Sequence, residues 1–269
     1  MRPGGKKRRI PLAVVLLTVA VLALTTVTPA FASFGQRNGI TDEAHSIHGL
    51  YLFVTVIAAI VFIAVESALV FAIFRYRRKS PDELPKQTHG SNVLEVVWTG
   101  IPVLIVASVF TFTFITLQKV DHGPQAGDLK IEVTGFQWQW QFVYNLNQLG
   151  PGSDPNAKGQ VKIVGTKDQE PTLELPADEP IDFKLISNDV IHSFFIRDFL
   201  YKLDVVPGRD NEFRVTPRQT GDFIGQCAEL CGMDHALMRF NVKVVDRAEF
   251  DKWIADQSAA AAKTAERVP

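Results

Sequence analysis

Residues 227–238 read CAELCGMDHALM, and they hold both cysteines of a 269-residue chain. His235 follows Cys231 by four positions, and Met238 comes three later. Two thiols this close allow a disulfide, which would close a small loop and add little stability by the chain-entropy account. That reading leaves His235 and Met238 without a role. A thiolate, an imidazole and a thioether on one loop form a soft ligand set, in the order of blue-copper centres. Two thiolates and two imidazoles would also make a closed tetrahedral zinc site, although zinc has little use for a thioether. Copper, zinc and a disulfide all stand at this point, with copper best matched to the donors. One copper needs one thiolate. The second allows both sulfurs to bridge two coppers, each with one imidazole and one weaker ligand.

Such a centre needs another histidine from elsewhere. The chain has six. His45, His48 and His89 lie outside the segment around the cysteines, and His122 lies at its membrane edge. His192, in SNDVIHSFFIRDF at an expected strand end, is the remaining candidate. The surrounding sequence reads as β-structure. LKIEVTGFQWQWQF (129–142) alternates around Ile131, Val133 and Phe136. GQVKIVG, PTLELPADEPIDFKLIS, NEFRVTP, GDFIGQC and MRFNVKVV follow as short runs broken by Pro, Gly and Asp. Short strands at this spacing predict a β-sandwich or barrel. NLNQLGPGSDPNAKG is a turn-rich loop. RAEFDKWIADQ predicts a short amphipathic helix, and the Ala-rich end after it a loose tail.

The first half of the chain is different. GLYLFVTVIAAIVFIAVESALVFAIF (49–74) and VVWTGIPVLIVASVFTFTFITL (96–117) are each long enough to cross a bilayer as a helix. Arg75, Arg77, Arg78 and Lys79 follow the first run directly, which assigns the connecting loop to the cytoplasm and both flanks to the outside. Pro102 lies about one turn into the second span, where neighbouring groups can satisfy the freed carbonyl. Glu66, the one charge within the first span, is either a functional group or a helix–helix hydrogen-bonding partner. The N-terminus, MRPGGKKRR followed by IPLAVVLLTVAVLAL and TPAFAS, predicts a signal peptide ending at Ala32, with a third span as the alternative. Either way Ser33 lies outside. The organisation expected is a signal peptide (1–32), an outer segment (33–48), a transmembrane hairpin (49–118), a β-domain (119–246), and a short helix with a loose tail (247–269). Net charge is −1, so nothing points to a nucleic-acid partner.

The chain resembles subunit II of the haem–copper cytochrome c oxidases over roughly residues 40–256. CAELCGMDHALM matches the family's dinuclear copper motif, Cys-x-Glu-x-Cys-x-x-x-His-x-x-Met. The resemblance implies a cupredoxin-like Greek-key sandwich on a two-helix anchor. It implies that Cys227 and Cys231 bridge two coppers and that His192 and His235 each bind one. Met238 and the Glu229 carbonyl are then the weak ligands, and the Glu229 side chain reaches a magnesium or manganese ion at the boundary with subunit I. SNDVIHSF, with Asp189, and LDVVPGR, with Asp204, Pro207 and Arg209, match the family's pattern. GFQWQWQF places Trp138 at the electron-entry position, and EVVWTGIP places Glu95 at the mouth of a proton path. Arg197 stands where many members carry proline, and Arg239 follows Met238 near the implied docking face.

The implied function is that of an aa3-like, proton-translocating cytochrome c oxidase, reducing oxygen to water as a complex with subunit I and a subunit III. This chain would take electrons from a c-type cytochrome outside the cell membrane and pass them to a haem in subunit I. No CxxCH is present, so no c-type haem is fused to it. A quinol-oxidase subunit II would share the fold and lack the ligands. A membrane-anchored copper chaperone would display labile, exposed sulfurs.

Overall fold

Two apolar helices open the described part of the chain. The structure is a computed structural model that describes residues 36–78, 80, 87, 89–121, 123–151 and 158–265. The expected signal peptide, His122 and half of the loop between the two spans lie outside these residues. Helix α1 spans Asp42–Arg75 and α2 spans Asn92–Val120, and both are long and apolar enough to cross a membrane. α2 continues through Pro102.

α1 starts seven residues before the apolar run, and local chemistry explains why. Thr41 is the N-cap, its hydroxyl accepting from the Ala44 N–H at 3.0 Å. Asp42 and Glu43 occupy the first turn, where the helix dipole favours negative charge. This turn is also fixed to the β-domain. The Ile40 N–H donates to the Asp198 carbonyl at 2.9 Å, and the buried Glu43 carboxylate accepts from the Thr216 N–H at 3.1 Å. Arg218 pairs with Asp42 at 2.6 Å and with Asp178 at 3.2 Å, and its hydrogen bond holds the Asp42 carboxyl below the ordinary value.

Ten strands follow: β1 (Leu129–Phe136), β2 (Gln139–Leu149), β3 (Gln160–Val164), β4 (Thr172–Pro176), β5 (Ile181–Ser187), β6 (His192–Ile196), β7 (Tyr201–Val205), β8 (Asn211–Val215), β9 (Gly221–Cys227) and β10 (Arg239–Val245). They make two five-stranded sheets, ordered β3-β2-β1-β5-β8 and β4-β10-β9-β6-β7. The β1/β5 and β4/β10 pairs are parallel and the other pairs are antiparallel. The alternation read from the sequence is the reason for the layering. Leu129, Ile131 and Val133 of β1, and Phe240, Val242 and Val244 of β10, all face the core.

Two expectations are corrected. GFQWQWQF is not one alternating strand: β1 ends at Phe136, a turn occupies Gln137 and Trp138, and β2 starts at Gln139. Tertiary hydrogen bonds described below hold that turn. The C-terminal helix, α3, runs from Arg247 to Ala265, well into the stretch expected to be a loose tail. Alanine has the highest helix propensity, and no proline or glycine interrupts the run. The start of α3 is fixed by Phe250 and Trp253, which pack against Tyr144 with ring centroids 6.2 and 5.2 Å away.

The centre of the sandwich is aromatic. Phe240 stacks on Phe194 at 5.0 Å and meets Trp140 and Phe142 edge-on at 5.6 and 5.3 Å. Directly across from Phe240 on β9 is Gly225, and a Cβ there would overlap the Phe240 ring. Gly225→Ala therefore forces this ring to move in a close-packed layer. The expected cost is about 1–3 kcal/mol, seen as a lower midpoint in thermal unfolding. An unchanged midpoint would show that the layer has slack.

Candidate metal centre

One end of the second sheet gathers the ligand candidates. His192 is the first residue of β6 and Cys227 the last of β9. These strands are neighbours, with Phe194 opposite Cys227. The loop from Ala228 to Met238 then turns back to β10, closed by the Cys227 N–H donating to the Met238 carbonyl at 2.9 Å. His235 opens a 3₁₀ turn, His235–Leu237, that carries the chain to Met238.

The donor atoms converge. The two sulfurs are 3.7 Å apart, and both cysteines are free and buried. A disulfide requires about 2.0 Å, so none is formed. Two sulfurs on one tetrahedral ion with zinc-like bonds of about 2.3 Å would stand roughly 3.8 Å apart, close to the 3.7 Å seen. The His192 Nδ1 is 3.9 Å from the Cys227 sulfur, and the His235 Nδ1 is 3.6 Å from the Cys231 sulfur. Ligand atoms of His192, Cys227 and Cys231 all lie within 4.8 Å of one another. The Met238 thioether is 3.8 Å from the Cys231 sulfur, and the Glu229 carbonyl is 3.2 Å from the Cys227 sulfur. A soft set of two thiolates, two imidazoles and two weak donors fits copper. The buried thioether is the donor that fits zinc poorly.

Supporting hydrogen bonds set the orientation of this cluster. Asp189, in the loop before β6, accepts from the His192 Nε2 at 2.8 Å and from the Gln137 and Val190 N–H groups at 2.6 Å each. This leaves the other ring nitrogen, Nδ1, turned to the sulfurs and free of its proton when a metal is bound. Gln137 also donates its side-chain amide to the Cys231 carbonyl at 2.8 Å, and the Trp138 indole N–H reaches the same oxygen at 3.3 Å. Gly232 has φ +123, and a side chain there would press on both Gln137 and Trp138. The β1–β2 turn thus clamps the cysteine loop from one side. No local pattern marks Gln137, because its partner lies 94 positions away.

Electrostatics separate the two thiols. Burial raises the pKa of Cys227, but hydrogen bonds from His192 and from backbone outweigh it and bring the thiol down to about 6. Cys231 is pushed up to about 12, by burial first and then by the neighbouring Cys227. Burial works against the charged form of His192, and contact with Cys227 and Asp189 overcomes it, so its pKa is raised.

The remaining candidates lie elsewhere. Trp138 is half-buried beside the cysteine loop, and the Glu229 side chain is exposed on it. Asp204 sits across from Ser193 on β7, and Pro207 and Arg209 form the turn that follows. Arg197 is in the 3₁₀ turn after β6, and Arg239 pairs with Glu170 at 3.6 Å. Glu95 is in the first turn of α2, remote from the cysteines. Glu66 is exposed in α1. Helical spacing sets it opposite the half-buried Phe53, Ile57 and Ala72, so it faces away from α2 and makes no side-chain hydrogen bond among the described residues.

Comparisons agree with this geometry. Residues 129–245 match the family described as "Cytochrome C oxidase subunit II, periplasmic domain", and residues 29–115 match "Cytochrome C oxidase subunit II, transmembrane domain". A probable cytochrome c oxidase subunit 2 of Streptomyces avermitilis is 36% identical over 293 residues, covering 95% of this chain and 91% of that protein. Cytochrome c oxidase subunit 2 of Corynebacterium glutamicum is 33% identical, covering 84% and 76%. The crystal structure of the periplasmic domain of subunit II of cytochrome oxidase of Bradyrhizobium japonicum is 34% identical, covering 51% of this chain and 97% of that one, with a TM-score of 0.42. By the two family matches, the helices and sheets form a multi-pass membrane protein with a cupredoxin-like, metal-binding domain outside the cytoplasm.

The split between the thiols has a measurable consequence. Metal binds thiolates, so loading releases whatever protons the thiols still hold. The split predicts that at pH 8 Cys227 is ionised and Cys231 is not. At pH 5 both carry protons. Anaerobic copper(I) titration of the metal-free chain should release about one thiol proton at pH 8 and about two at pH 5, with the His192 imidazolium adding to the acid-side release. A release independent of pH across this range would contradict the assignment.

Proposed function

The chain belongs to the cytochrome c oxidase subunit II family, and on that premise we propose that it is subunit II of an aa3-like cytochrome c oxidase. In this reading it accepts electrons from a c-type cytochrome at a dinuclear copper centre and relays them to the haem of subunit I, where oxygen is reduced to water. The observation that carries it is the convergence of His192, Cys227, Cys231, His235, Met238 and the Glu229 carbonyl at one end of the sandwich. When bound, the copper pair supplies a one-electron carrier whose charge is shared by two metal ions. The protein supplies rigidity. His192 is held by Asp189, and Cys231 by Gln137 and Trp138, so the ligands need little movement between redox states.

Partners follow from the same premise. Trp138 is proposed as the electron-entry residue, because its half-buried indole donates to the Cys231 carbonyl on the cysteine loop. The exposed Glu229 side chain is proposed to reach a magnesium or manganese ion at the boundary with subunit I. Glu95, at the cytoplasmic end of α2, is proposed to collect protons for a path in subunit I, and a subunit III completes the complex.

Two experiments test this reading. Copper loading of the purified chain should give a spin-resonance spectrum with one unpaired electron coupled to two copper nuclei. Cys227→Ser and Cys231→Ser should each abolish it while the fold persists, because a hydroxyl is a hard, poorly ionised donor. A single-copper spectrum from the parent, or unchanged spectra in both variants, would discard the dinuclear assignment. The second concerns electron entry. In stopped-flow reduction by a reduced c-type cytochrome, Trp138→Ala should slow the copper centre at least tenfold, the equivalent of about 1.4 kcal/mol, with copper content intact. A variant reduced as fast as the parent moves the entry point elsewhere.

A further inference from the structure

A cavity of about 400 Å³ lies between α1 and α2, near the ends that adjoin the β-domain. Its lining is graded. His45 of α1 and Lys119 of α2 stand at its polar end. Phe53 and Phe112 stand at the other, in contact at 4.5 Å between ring centroids. The helices are antiparallel, and each gradient covers seven or eight residues, about 10–12 Å along the axis. Gly49 opens the wall between these ends: a Cβ there would meet nothing within 4 Å.

The polar end has a free cation. Lys119 is exposed and makes no ion pair among the described residues. Asp42, the carboxylate whose charge interacts with His45, is already taken by Arg218 at 2.6 Å. One cationic side chain, Lys119, and one imidazole hydrogen-bonding group, His45, thus sit over an apolar slot at the level where a membrane helix leaves the outer leaflet.

We propose that this groove is a binding site for an anionic phospholipid of the outer leaflet. The phosphate would meet Lys119 and His45, and one acyl chain would run past Gly49 to the Phe53–Phe112 floor. A partner helix fits poorly, because a helix with its side chains is about 10 Å across and the cavity would hold about one turn of it. A zwitterionic lipid offers the same phosphate but brings its own ammonium to the headgroup end, which competes with Lys119. The occupant would tie the two spans together directly beneath the metal-binding domain.

The test uses the full-length chain, purified in mild detergent with copper content checked. It is supplied with phosphatidylglycerol or phosphatidylcholine of identical chains, and retained lipid is read by native mass spectrometry. The parent should retain one phosphatidylglycerol, preferred about fivefold over phosphatidylcholine, as one basic side chain near a membrane surface provides. Lys119→Gln should bring the two lipids to similar retention. Gly49→Leu, which fills the slot without touching the headgroup end, should reduce retention of both. Equal retention of the two lipids by the parent would overturn the proposal. So would phosphatidylglycerol retention that neither variant lowers.

Discussion

The carboxylate of Asp189 is the constraint on which the metal-binding end of this molecule depends. It accepts one hydrogen bond from His192 and two from backbone, at Gln137 and Val190. Those three donors belong to three different stretches: the β1–β2 turn, the loop before β6, and β6 itself. Gln137 then passes the connection on to Cys231 through its side-chain amide. One acid therefore ties the imidazole from one strand to the cysteine loop. The benefit is preorganisation. Ligands fixed before the metal arrives lose little entropy on binding and shift little when the charge changes.

The aromatic layer beneath performs a second task. Trp140 meets the His192, Phe194 and Phe240 rings edge-on, with centroids 6.1, 5.7 and 5.6 Å away. The imidazole is fully buried among these rings. An apolar surround of this kind excludes water from the ligands and lowers the local dielectric, which tunes the potential of any bound metal. It also accounts for the divided thiols. Burial alone would raise both, and only Cys227, facing His192, has enough hydrogen-bonding support to ionise.

The connection to the membrane is more rigid than a linker. Thr41 and Ala44 are fully buried, Ile40 and Glu43 nearly so, and Arg218 closes the joint with two carboxylates. α1 thus starts as part of the β-domain and continues into the apolar span without a break. A helix fixed at its first turn holds the domain at a set height and rotation. Electron transfer across a subunit boundary needs such positioning, because its rate falls steeply with distance.

The sequence by itself determined the composition of each layer. Two apolar runs long enough to cross a bilayer predict spans, period-two alternation predicts half-buried strands, and two thiols beside an imidazole and a thioether favour a soft metal over a disulfide. It also named His192, though by elimination among six histidines. What only the tertiary structure decided is who holds the ligands. Gln137 and Asp189 act across 94 and 52 positions of chain, and a hydrogen bond between distant segments leaves no periodic trace in either. Trp138 shows the same limit. The alternation Phe136, Trp138, Trp140 reads as one strand face, yet the chain turns at Gln137 and Trp138 because Asp189 and the Cys231 carbonyl capture their N–H groups. Local pattern fixes which residues want to be buried. Contacts between remote strands fix where the chain must turn to bury them.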